Sequence, residues 1–247
     1  MSVDTSAACP EGGVDSDLLQ AFMKGFYGYG SYEAPYWFVG IEESGGNSVG
    51  DIVRRLRAWD GRQRPEIDDL QGFHSSAEIE ISLTKPQRTW RPLIQFVLRC
   101  KDESVSKESV CEYQASRLGR EGGETCLLEL LPLPRPGARA WPYSSWSTLP
   151  AVTTYRAYEK AVRAARTETI LSRIRQYCPS VVVFYGKSDF WRNTVSIDAA
   201  AGGWGFDAGK IAKTAVFVTA HPCARSNDAS TRFDAIADRA LKLLRSE

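Results

Sequence analysis

The amino-acid sequence predicts an α/β protein, a three-layer α/β/α domain around a central, mainly parallel four-stranded sheet. Four short apolar runs, residues 36–41, 125–131, 180–185 and 215–220, lack the polar alternation of half-solvated strands and read as strands buried on both faces. Segments with helical spacing separate them. Three of the runs also end in ionisable side chains, and strand C-termini form the ligand-binding edge of open α/β sheets.

Residues 1–17 are small, polar and acidic and are expected to be a flexible leader to a single domain over 18–247. Leu18, Leu19, Phe22, Met23 and Phe26 suit a short helix broken by Gly25, Gly28 and Gly30. The first strand, YWFVGI, runs into Glu42, Glu43 and the glycine turn Gly45-Gly46-Asn47. Ile52, Val53, Leu56 and Trp59 then recur at helical spacing, so this helix starts beside the two glutamates. Residues 60–85 are polar and turn-rich, read as a functional lid or insertion, and hold Phe73-His74.

Residues 89–99 and 111–118 read as helices, the first entered through Pro92 and the second ended by Gly119. The second strand, TCLLELL, carries one carboxylate, Glu129, which is costly in an apolar strand unless paired or facing a cavity. The proline-rich loop PLPRPGARAWPYSSW follows, then the longest helical pattern, residues 151–177, closed by Pro179. The third strand, SVVVFY, turns at Gly186 into Lys187, and the fourth, AVFVTA, ends directly in HPCARSND. An amphipathic helix with Phe233, Ile236, Ala237, Leu241 and Leu244 closes the chain.

Composition narrows the classes. The chain is 43% hydrophobic with net charge +1, ordinary for a globular protein and unlike one that coats nucleic acid through bulk charge. No apolar run approaches the roughly 18 residues that span a bilayer, and the N-terminus is too polar for a signal peptide, so a cytoplasmic location without membrane contact is expected. The six cysteines form no C-x-x-C pair, so no metal or other cofactor is expected. GIEESGGN lacks the Gly-Lys-Ser/Thr of a phosphate-binding loop, which argues against an NTPase.

Glu42 and Glu43, Glu129, and His221 end three of the strands, and a parallel sheet brings those ends to one crevice. The order strand–GIEESGG, apolar strand with a polar residue and a proline loop, VVVFYG, then strand–HPCARSN resembles the uracil-DNA glycosylase superfamily over most of residues 36–245. Gly40-Ile41-Glu42 matches that superfamily's opening motif and maps its water-activating position onto Glu42. His221-Pro222-Cys223 is similar to its His-Pro-Ser motif, with Arg225 as the residue that would wedge into the duplex. The sequence departs in three places: Glu43 stands where proline is usual, Cys223 where serine is usual, and Glu129 where the base-reading asparagine is usual.

The resemblance implies a monofunctional DNA glycosylase with single- or double-stranded DNA as its partner and no obligate protein partner. Glu42 would stabilise the oxocarbenium-like sugar and orient or deprotonate water, and a neutral His221 would hydrogen-bond the leaving base. Glu43, Gly45, Gly46, Asn47, Phe73, Glu129 and Trp141 would form the base pocket, with Trp59 a further aromatic to receive the flipped base. Arg225, Ser226, Asn227, Lys187 and Arg135 would face DNA. An ionised Glu129 can only accept hydrogen bonds, which points to a base offering an amino group, such as a glucosylated hydroxymethylcytosine of phage DNA in an antiphage defence. Trp141 to Trp146 would then stack on the attached sugar. Uracil excision in base-excision repair is the alternative. A non-catalytic nucleic-acid-binding domain and a hydrolase of free nucleosides or nucleotides are the readings from other classes.

Overall fold

The computed structural model describes residues 13–195, 197–224 and 228–245. It shows a mixed α/β architecture around one eight-stranded sheet, in place of the four strands expected. In chain order the elements begin with α1 (Ser16–Gly25), β1 (Gly28–Gly30), β2 (Tyr36–Gly40), α2 (Val49–Gly61), β3 (Ile67–Asp68) and α3 (Leu70–Ser76). Next come α4 (Trp90–Cys100), α5 (Lys107–Ser116), β4 (Thr125–Glu129), α6 (Tyr143–Trp146) and α7 (Tyr155–Tyr177). The rest are β5 (Val181–Tyr185), α8 (Ser188–Thr194), β6 (Ile197–Gly203), β7 (Phe206–Ile211), β8 (Thr214–Thr219) and α9 (Ala229–Leu244).

The strand order is β3-β1-β4-β2-β5-β8-β7-β6. The four anticipated apolar runs, β4, β2, β5 and β8, are neighbours and mutually parallel at the centre of the sheet. The unanticipated strands flank them. On one side β1 pairs antiparallel with β4 and parallel with β3; on the other, β6 and β7 form an antiparallel hairpin on β8. β1 and β3 are only three and two residues long, and in β6 and β7, IDAAAGG and FDAGKI, alanine, glycine and charged residues dilute the apolar signal. The exposed edges of β4 and β8 supply the partners that local propensity does not.

Helices cover both faces. Phe96 of α4 packs edge-on against Tyr36 and Phe38, two residues apart on β2, while Trp37 between them faces Tyr177 at the end of α7. Residues 60–85 are less irregular than expected, because Asp69 accepts the Gly72 N–H at 2.7 Å and starts α3. The proline loop likewise contains the short α6. In the N-terminal segment, residues 1–12 lie outside the described residues. Residues 14–17 are anchored: Val14 is buried and donates to the Trp146 carbonyl, and Asp15 caps α1.

One buried cation ties this framework together behind the site. Arg166 of α7 is almost fully enclosed, donates to the carbonyls of Leu130 (2.9 Å), Glu129 (2.8 Å) and Met23 (3.3 Å), and lies 3.9 Å over the Tyr27 ring. It satisfies carbonyl groups just where β4 leaves the ladder. Arg166→Leu orphans those carbonyls and is expected to lower stability by about 3 kcal/mol, read as a reduced urea midpoint with unchanged m-value.

Candidate active site

Register builds the site. Parallel pairing sets Gly40, the last residue of β2, opposite Glu129, the last of β4, and Tyr185, the last of β5, opposite Thr219 of β8. The ladder continues past the strands, Leu130 donating to the Gly40 carbonyl and Leu131 to that of Ile41. Side chains following these strands therefore meet at one edge. They enclose a cleft of about 450 Å³ whose walls include Glu42, Glu43, Glu129, Arg135, Tyr185, His221 and Trp90. Gly40 makes the floor possible: a Cβ there would lie 2.5 Å from Glu129 Oε2 and 2.6 Å from the Tyr185 hydroxyl.

The three carboxyl groups have different surroundings. Glu43 is saturated with donors, its Oε2 accepting from Arg55 at 2.7 Å and Tyr29 at 3.3 Å, with His74 Nε2 3.5 Å from Oε1. Burial alone would raise its pKa, but the Arg55 charge and the hydrogen bonds from His74 and Tyr29 outweigh that and hold it at about 2. Glu42 has one oxygen engaged: Oε1 pairs with Arg135 at 3.2 Å, and Oε2 is buried without a hydrogen-bond partner among the described residues. Its pKa is raised by burial, against the pull of Arg135 and a hydrogen bond with Tyr155. Arg135 stacks 3.8 Å over the Tyr155 ring, which fixes the pair.

Glu129 is the third. Its Oε2 is also buried without a partner among the described residues, and burial, then repulsion by Glu43 and Glu42, pushes its pKa well above the ordinary carboxyl value. Burial and the two neighbouring carboxylates thus favour the protonated form of Glu129, which can donate as well as accept. The expectation of an acceptor-only Glu129 rests on the ionised form, which these surroundings disfavour.

His221 follows β8 at the same edge. Its Nδ1 accepts the Cys223 N–H at 3.1 Å, leaving the proton of the neutral ring on Nε2 as a donor. Burial first, then the positive charge of Arg232, lowers its pKa below 6.5, so the ring is neutral near pH 7. Tyr185 packs edge-on against it at 5.6 Å, and Cys223 reaches Thr89 Oγ1 at 3.5 Å, linking the His221 loop to the start of α4.

Several expected pocket residues lie elsewhere. Phe73 is in the core between Phe26 and Tyr29, and Trp59 is buried with its Nε1 on the Pro65 carbonyl. Trp141 donates to the Val152 carbonyl and stacks on Tyr158 at 4.9 Å, and it does not line the cleft. Gly45 and Gly46 brace loops, through the Arg135 carbonyl and Asp51 Oδ2, and Asn47 is exposed away from the cleft. Lys187 pairs with Glu159 at 2.8 Å, and Arg135, expected on DNA, holds Glu42 instead. Arg225, Ser226 and Asn227 lie outside the described residues.

Cleft residues not anticipated are Trp90, Gln87, Thr89 and Tyr185. Tyr185 was findable, since it ends an anticipated strand at the functional edge. Trp90 had no local signal, because it reaches the cleft only through the path of the 60–89 segment. No known protein-family profile matches the chain, and no curated protein matches it.

Two pH-dependent outcomes follow. A raised folded-state pKa makes the Glu129 contribution complete below about pH 4.5 and progressively lost as pH rises toward that pKa, by at most about 1.4 kcal/mol per pH unit. Glu129→Gln has no such titration, so its stability relative to wild type is expected to climb with pH in thermal melts from pH 4.5 upward. Glu43 behaves oppositely, its contribution being present above pH 4.5 and lost as pH falls toward 2. Glu43→Gln is expected to cost about 3 kcal/mol at pH 7 and little near pH 2, by denaturant titration.

Proposed function

We propose that the protein is a monofunctional DNA glycosylase that hydrolyses the N-glycosidic bond of a flipped-out pyrimidine and leaves an abasic site. The observation that carries this reading is that one cleft is lined both by Glu42, a half-buried carboxylate with one oxygen held by Arg135, and by His221, a neutral Nε2–H donor. Hydrolysis of that bond develops positive charge on the sugar and negative charge on the base. Glu42, its pKa raised by burial, stabilises the cation and orients or deprotonates the water. Arg135 holds the carboxylate in one rotamer. The Nε2–H of His221 donates to the base as it becomes anionic, in the manner of an oxyanion hole.

The size of the cleft supports a single extruded base rather than a duplex. Trp90 and Tyr185 provide aromatic walls. Lys85, Arg88, Arg91 and Arg139 lie on segments adjoining the cleft and have no ion-pair partner among the described residues, which suits contact with phosphates. Glu129 lines the cleft, and in its protonated form a carboxyl group has both a donor and an acceptor oxygen. These match the N3 and N4–H of cytosine, or the N3–H and O4 of uracil, so a modified cytosine of phage DNA and uracil are both within the proposed substrate class.

The test is abasic-site formation, scored by alkaline cleavage, on oligonucleotides carrying uracil, hypoxanthine, hydroxymethylcytosine and glucosylated hydroxymethylcytosine. Wild type is expected to cleave at a pyrimidine, and Glu42→Gln to lose 10²- to 10⁴-fold in single-turnover rate, a range typical of an acid–base group. The acid limb of the pH–rate profile should fall above the ordinary carboxyl value of 4.5. DNA binding by both proteins without strand cleavage by either would instead indicate a non-catalytic DNA-binding domain.

A further inference from the structure

The β6–β7 hairpin has no part in the chemistry above, yet its tip is built into the functional edge. The antiparallel register sets Phe206, the first residue of β7, opposite Thr219, the last residue of β8 and two before His221. The turn is the dipeptide Trp204-Gly205, closed by the Gly203–Phe206 pair, and it stands at the end of β8 beside the His221 loop. Two contacts fix it there. Thr219 Oγ1 donates to the Gly205 carbonyl at 2.9 Å, and buried Arg232 lies beneath Gly205 while donating to the carbonyls of Ala220 and His221. Gly205 has φ +74°, and a Cβ there would meet Arg232 Cδ at 2.9 Å, so this seat needs glycine.

Trp204, held on this braced turn, is 58% exposed and makes no ring or cation contact among the described residues. No ring or cation contact among the described residues accounts for an indole left in water on a fixed tip, where a polar residue would serve a hairpin turn equally well. The surroundings suggest its partner. The tip stands beside the His221 loop, which lines a cleft sized for one base, and Lys85, Arg88 and Arg91, without ion-pair partners among the described residues, lie on the segment that reaches the same loop through Thr89 and Cys223. Flat aromatic surface combined with unpaired cations is the chemistry that binds unstacked nucleotides.

We infer that Trp204 is a base-stacking platform for a nucleotide next to the one extruded into the cleft, giving the enzyme a grip on locally unstacked DNA. This rests on the glycosylase reading and adds a contact outside its chemistry. Extrusion of one nucleotide exposes the faces of its neighbours, and an indole on a rigid turn covers one without needing to read sequence.

The test is fluorescence anisotropy of full-length protein with fluorescein-labelled 20-nucleotide single strands and the corresponding duplex, over a salt series. Trp204→Ala is expected to weaken single-strand binding by about 5- to 100-fold, the range for loss of one base–aromatic stack. Trp204→Phe should recover most of that and Trp204→Leu little. The salt slope should stay unchanged in all three, whereas Arg88→Ala should reduce it by about 1. Melting temperatures within a degree of wild type exclude misfolding, as fits an exposed residue. Equal binding by wild type and Trp204→Ala overturns the platform and leaves the glycosylase reading standing. Failure of wild type to bind either DNA overturns both. Loss of self-association in Trp204→Ala at unchanged DNA affinity assigns the indole to a contact between copies of the chain and overturns the platform.

Discussion

The ends of β2 and β4 bring the carboxyl groups of Glu42, Glu43 and Glu129 to one partly water-excluded place, and three anions cannot coexist there uncompensated. Each is relieved differently. Glu43 is compensated by Arg55 and two further donors, Glu42 by the Arg135 guanidinium, and at Glu129 the pKa rises so that the protonated form is favoured.

The same compensation braces the loops. Arg55, buried on α2, lies between Glu43 and Asp51, and Asp51 in turn accepts the Gly46 N–H, so the strand-to-helix turn closes on its own helix. Arg135 crosses from the proline loop to Glu42, while its backbone N–H donates to the Glu43 carbonyl and its carbonyl accepts from Gly45. The two loops that follow adjacent strands are thus sewn together by backbone and side chain alike. The Glu42 carboxylate is thereby held against the proline loop.

The fold divides the arginines around the site into two kinds. Arg55, Arg135 and Arg166 are internal counter-charges or carbonyl donors, whereas Arg88, Arg91 and Arg139 remain exposed without ion-pair partners among the described residues. Spacing along the chain could not separate them. Whether a guanidinium meets a carboxylate depends on elements distant in sequence, as with Arg135 and Glu42, 93 residues apart.

The sequence by itself determined the central parallel strands, the helices that cover them, and the gathering of Glu42, Glu43, Glu129 and His221 at one edge. Those features are written locally: apolar runs too short for helices, helical stripes, and polar residues at the point where each strand stops. It did not reveal β1, β3 or the β6–β7 hairpin, which are strands only because a neighbour's edge is there to pair with. Nor did it reveal that Trp90 and Tyr185 line the cleft while Phe73 and Trp141 do not. Nor did it reveal the burial and the neighbouring carboxylates that raise the pKa of Glu129, which tertiary structure alone supplies. A carboxyl group's charge depends on the dielectric and the charges around it, and those came from residues as far away as 87 positions in the chain.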